Sequence, residues 1–137
     1  MTSSPIVTRD TAADVFDTVI DHDTREAGAL AFLLLNPDGS LLTSLLVEDI
    51  PPGLTRRQQA ATLDRLFTQV AEFGVAIAFA HARAGSAMIT DNDRTWHELV
   101  LLGARDHDLP VLGGWVVGGF GVRALPRPLG EDLAAAS

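Results

Sequence analysis

The run from Ala29 to Leu35 is almost wholly apolar and stops abruptly at Asn36-Pro37-Asp38-Gly39. A short apolar run bounded by turn-forming residues reads as a buried strand, and Asp-Gly is a strong hairpin signal because tight hairpin turns favour residues that accept positive φ. Leu41 to Val47 supplies the returning strand. A buried hairpin near the start of a chain needs further elements to cover it, and the remaining sequence supplies them.

Thr11 to Ile20 places Ala12, Val15, Phe16 and Val19 at helical spacing, with Asp10 and Asp14 toward the positive helix N-terminus, which predicts a first helix. Pro51-Pro52-Gly53 breaks the chain. Thr55-Arg56-Arg57-Gln58 then spells a capping box, in which a threonine hydroxyl and a glutamine amide satisfy each other's orphan N–H groups. The stripe Ala60, Leu63, Leu66, Phe67, Val70 and Ala71 extends that helix to about Gly74. Val75 to Ala80 reads as a strand that delivers His81 and Arg83 at its end. A helix from about Asn92 to Arg105 follows, capped by Asp91 or Asn92. Leu109 to Val117 and Phe120 to Leu125 read as two more strands. The tail from Pro126 onward reads as loosely held. The order helix, hairpin, helix, strand, helix, strand, strand predicts one α/β (α+β) domain, a single mixed sheet flanked by helices. The strand–helix–strand unit is a right-handed crossover if its strands are parallel.

Composition removes several function classes. The 137 residues contain no cysteine, which excludes disulfides and thiolate metal sites, so any metal sits on His, Asp or Glu. A net charge of −8 argues against broad nucleic-acid binding, which needs clustered cations. No window has the length of a membrane span and the first residues lack a signal pattern, so the expectation is a cytoplasmic protein with no membrane contact. Gly113-Gly114 and Gly118-Gly119-Phe120-Gly121 do not form a dinucleotide fingerprint and read as tight turns and close sheet packing. Trp96 and Trp115 read as core. His22 and the group Asp106-His107-Asp108 read as solvated surface.

The segment of residues 78–93 concentrates the chemistry. It brings His81, Arg83, Thr90 and Asp93 within reach of one point. That set comes close to a metal-hydrolase site, but an arginine stands where a second ligand is needed.

These joints resemble the JAB/MPN domain family, in particular its RadC-like branch, over residues 29–125. Phe32-Leu33-Leu34-Leu35-Asn36 is similar to that branch's first hairpin, and Val75 to His81 to the approach to its metal motif. Leu112 to Gly118 is similar to its closing strand, without the Asp-His pair usual there. The family motif is His-x-His, about seven residues, then Ser-x-x-Asp, with a separate upstream Glu. The resemblance implies a cytidine-deaminase-like architecture, with His81 and Asp93 as zinc ligands, Thr90 as the residue that steadies an oxyanion, and Glu26 as the base. Arg83 occupies the second histidine position.

Arginine has no lone pair to give a cation and remains protonated, so it cannot ligate zinc. Three local readings follow. In one, His97, one helical turn beyond Asp93, completes a His81–Asp93–His97 zinc site. In another, Arg83 forms a bidentate pair with Asp93 and His81 is a hydrogen-bonded core histidine with no cofactor. In the third, the cleft of His81, Arg83, Thr90 and Asp93 receives an anion or a nucleotide. The corresponding functions are a non-catalytic interaction or scaffold module with a protein partner or a homodimer, a divergent zinc metallohydrolase of peptide or isopeptide bonds, and a small-anion sensor.

Overall fold

The computed structural model describes residues 5–73 and 75–126. Residues 127–137, most of the expected tail, and Gly74 lie outside the described residues.

In chain order the elements are α1 (Arg9–Val19), α2 (His22–Ala27), β1 (Ala29–Leu35), β2 (Leu41–Glu48), α3 (Arg56–Val70), β3 (Ala76–Ala82), α4 (Asp91–Asp106), β4 (Val111–Gly118) and β5 (Gly121–Ala124). A single turn of 3₁₀ helix, Ala71–Phe73, follows α3. The strands form one mixed sheet of order β2-β1-β3-β4-β5. β1 pairs antiparallel with both β2 and β3, β3 pairs parallel with β4, and β5 returns antiparallel. The parallel pair is joined through α4, as parallel strands require a long connection. The mixed α/β architecture expected from the order of elements is therefore the architecture found.

β1 is buried at every residue because it is the centre of two hydrophobic layers. Leu30, Phe32 and Leu34 join Ile77 and Phe79 on one face, packed against Leu63, Phe67 and Val70 of α3 and Trp96, Leu99 and Val100 of α4. Ala29, Ala31, Leu33 and Leu35 join Ala78, Ala80, Ala82, Trp115 and Val117 on the other, under Ala12 and Phe16 of α1. Alternate residues of a strand face opposite sides, so a continuous apolar run is what a strand covered on both faces needs. Trp96 and Trp115 are core residues of the two layers.

Several local boundaries differ from the sequence expectations. α2 was not expected: its sequence is polar, and it rests on an Asp21 cap that accepts from Thr24 N–H and on Gly28 at its C-terminal end, with φ 86°. The buried stripe of α3 contains Gln59 and not Ala60, since Gln59, Leu63, Phe67 and Val70 share one phase. β3 runs on through His81 to Ala82, because Leu30 and Val116 flank His81 in register. The cap of α4 is Thr90, not Asp91 or Asn92, in a capping box closed by Asp93. Gly113 and Gly114 lie inside β4 and are not turn residues.

Candidate functional site

The site forms where β3 meets the start of α4. His81 lies one pleat beyond Phe79 and therefore on the α3/α4 side of the sheet. After Ala82 the chain leaves the sheet: Arg83 N–H donates to Val117 O at 3.0 Å, and Gly119 N–H donates to Gly85 O at 2.7 Å. The loop lies so close to Gly118 that a Cβ there would stand 2.8 Å from Gly85 O and Ala87 N. It then turns into α4, whose third residue is Asp93.

Asp93 is fully buried and His81 nearly so. His81 Nδ1 lies 2.7 Å from Asp93 Oδ1. Arg83 approaches the same carboxylate side-on, Nε donating to Oδ1 at 2.9 Å and Nη2 to Oδ2 at 2.7 Å. The backbone N–H of Thr90 donates to Oδ2 at 2.8 Å. Each carboxylate oxygen thus accepts two hydrogen bonds, which fills the roughly four lone-pair positions a carboxylate offers. Burial pushes the Asp93 carboxyl up, but the hydrogen bonds from His81, Arg83 and Thr90 outweigh it and hold the group well below the usual carboxylate range. The hydrogen bond to Asp93 raises the guanidinium of Arg83 despite partial burial. An ionised carboxylate only accepts, so His81 Nδ1 is the donor.

The rest of the guanidinium is also committed. Nη1 donates to Ser86 O at 2.7 Å and more loosely to Ala84 O at 3.4 Å, and Nη2 donates to Met88 O at 2.6 Å. With the two bonds to Asp93, this accounts for the five N–H donors of an arginine. Arg83 therefore ties β3, the loop and the first turn of α4 together, the cross-link that a metal ion supplies in a ligated loop.

The sequence-derived candidates separate. His81, Arg83 and Asp93 meet, as the bidentate reading required. Thr90 is adjacent but serves as the cap: its hydroxyl accepts from Asp93 N–H at 3.2 Å. Glu26, in α2, lines a cleft of about 280 Å³ together with His81, Arg83, Asn92 and Pro51. It is half exposed and lies 3.5 Å from His22 Nε2. His97 is buried on α4 but does not join His81 and Asp93. Among the described residues no three His, Cys, Asp or Glu side chains are placed to hold a metal ion. The zinc set His81–Asp93–His97 does not fit, because Arg83, His81 and Thr90 occupy Asp93 and the His97 ring packs over Gly114 of β4, near 2.7 Å from where a Cβ would stand. The anion reading is also weakened, since Arg83 has no N–H left to offer a ligand in the cleft.

Three further residues, Asn92, Gln59 and Arg25, position the site and were not among the site residues read from the sequence. Asn92 lines the cleft and accepts from Gln59 Nε2 at 3.1 Å, joining α3 to α4. Gln59 was legible in principle, as a polar residue in the buried phase of α3. Arg25 is buried and donates to Ile20 O, Gly118 O and Asp17 O, and to Asp17 Oδ1. It fixes α2, and with it Glu26, against the end of β4. No sequence pattern announces a contact between residues so far apart.

Among the described residues no helix is long and apolar enough to cross a membrane. A scan against protein-family models and a search of curated proteins found no match.

Proposed function

We propose that this chain is a RadC-like JAB/MPN-type domain in which an arginine has taken over the cross-linking role of the metal, and that it works as a non-catalytic interaction or scaffold module. The order of elements and the placing of His81 at the end of a central strand, opposite Asp93 in the first turn of a helix, support the resemblance. One observation carries the loss of catalysis: the Asp93 carboxylate is saturated by His81, Arg83 and Thr90. Zinc at this point needs a free Asp93 lone pair and a second neutral ligand, and meets instead a fixed positive charge. What is retained is a rigid surface, its loop pinned by the guanidinium and suited to holding a partner protein.

Zinc titration of the wild-type chain beside Arg83→His tests the proposal. The substitution removes the cation and restores a ligand, so the variant is expected to take up zinc and the wild type none at this point. A wild-type chain that loads a full equivalent of zinc and cleaves a peptide or isopeptide bond in a zinc-dependent way would instead establish the metallohydrolase reading.

A further inference from the structure

His97 lines a second cleft of about 280 Å³, which shares no residue with the cleft at His81. Its floor is the bare backbone of Gly113 and Gly114. A Cβ on Gly113 would stand 3.0 Å from the Trp115 ring and 3.7 Å from Arg9 Nε, and one on Gly114 would strike the imidazole of His97. The glycine pair thus lets the guanidinium of Arg9 rest on one face of β4 and the imidazole of His97 on the other, a reason for Gly-Gly inside β4 that turn formation does not give. Arg9 is held there by Nε, which donates to Leu112 O at 3.0 Å. Its two Nη groups make no further bond among the described residues. Arg105, in the last turn of α4, adds a second positive charge to the rim.

Charge placement makes this cleft unusual for the molecule. The chain has 18 acidic and 10 basic side chains, yet none of the described residues lining this cleft is acidic. Leu101, Leu109 and Leu125 give the same cleft an apolar lining. A guanidinium with free N–H groups favours planar or tetrahedral oxyanions. A pocket combining such a group with an apolar wall matches a ligand with an anionic head and a compact hydrocarbon body.

We infer that this cleft binds a small organic oxyanion, its phosphate or carboxylate head on Arg9 beside Arg105 and its apolar body against the three leucines. Arg105 contributes charge to the cleft and His97 shape. The site is independent of the guanidinium–carboxylate cluster at Asp93.

The test is a two-dimensional amide NMR titration of the full chain at constant ionic strength with inorganic phosphate, phenyl phosphate and benzoate. Expected are saturating shifts at the Gly113 and Gly114 amides, with phenyl phosphate binding about tenfold tighter than inorganic phosphate because its ring buries apolar area. Phenyl phosphate against benzoate assigns the head group. Arg9→Gln, and separately Arg105→Gln, are expected to weaken binding about tenfold or more, the usual effect of losing a charge-assisted bond, while Arg9→Lys retains part of the affinity. Shifts that rise linearly, or that scatter over Arg56 and Arg57, overturn the assignment. So does an unchanged affinity in both glutamine variants.

Discussion

Replacing Arg83 by methionine keeps most of the side chain's volume and removes its charge and all its N–H groups. Asp93 then loses two of its four hydrogen bonds, and the carbonyls of Ser86 and Met88 lose their donors. Removing one partner of a buried ion pair costs about 3–5 kcal/mol. Here the Arg83 side chain is 20% exposed, and His81 and Thr90 remain on the carboxylate, so the lower end applies, about 3 kcal/mol. For a chain of this size that corresponds to a fall in Tm of about 10 °C. Urea denaturation followed by circular dichroism, repeated across pH, measures it. The sign follows from Asp93. Its folded pKa lies below the unfolded value of about 3.9, so the wild-type stabilisation is complete above that pH and is lost as pH falls from there toward the folded value. In Arg83→Met the carboxyl is less well held, so the deficit is largest near neutrality and narrows below about pH 4. A deficit under about 0.5 kcal/mol, or one that does not change with pH, would refute the claim that Arg83 balances a buried Asp93 charge.

Three other substitutions probe the frame around the site. Gly28 has φ 86° and a Cβ there would stand 2.7 Å from Ile50 O, so Gly28→Ala is expected to lower stability by about 2 kcal/mol or more, seen as a reduced urea midpoint. Arg25→Met takes a donor from the carbonyls of Ile20, Gly118 and Asp17 and is expected to cost about 3 kcal/mol, with Arg25→Lys recovering little because an ammonium cannot span the same fork; thermal melts of the pair check this. Thr90→Ala removes the hydroxyl half of the α4 capping box and is expected to cost about 1 kcal/mol, with Thr90→Ser close to wild type. A larger loss in both Thr90 variants would show that the residue does more than cap.

How far the fold was legible depended on how local its causes are. The hairpin β1–β2 and the capping box of α3 lie in adjacent residues, and both stand where the sequence puts them. α2 was hidden because its six residues, five of them polar, show no apolar period, and only its Asp21 and Gly28 ends signal a helix. The shift from Ala60 to Gln59 arises because packing selects a helix face by phase, and a buried amide bonded to Asn92 is tolerated where a hydrophobicity pattern passes over it. At the site, the pairing of Arg83 with Asp93 could be read from their charges and spacing. The saturation of both could not, because it needs the path of residues 84–88 around the guanidinium. His97 shares a helix face with Asp93 by spacing, yet the sheet pairs it with Gly114, a contact that exists only once β4 lies parallel to β3.

The most direct test of the account observes the guanidinium of Arg83 itself by ¹⁵N NMR of the full chain. A guanidinium engaged on Asp93 and on the Ser86 and Met88 carbonyls rotates slowly, so the account predicts separate, slowly exchanging Nη proton signals and a protected Nε–H at neutral pH. It also predicts that these signals collapse in Asp93→Asn. A single averaged Nη signal in rapid exchange with water would show that the arginine is free, and would contradict the claim that it stands in for the metal.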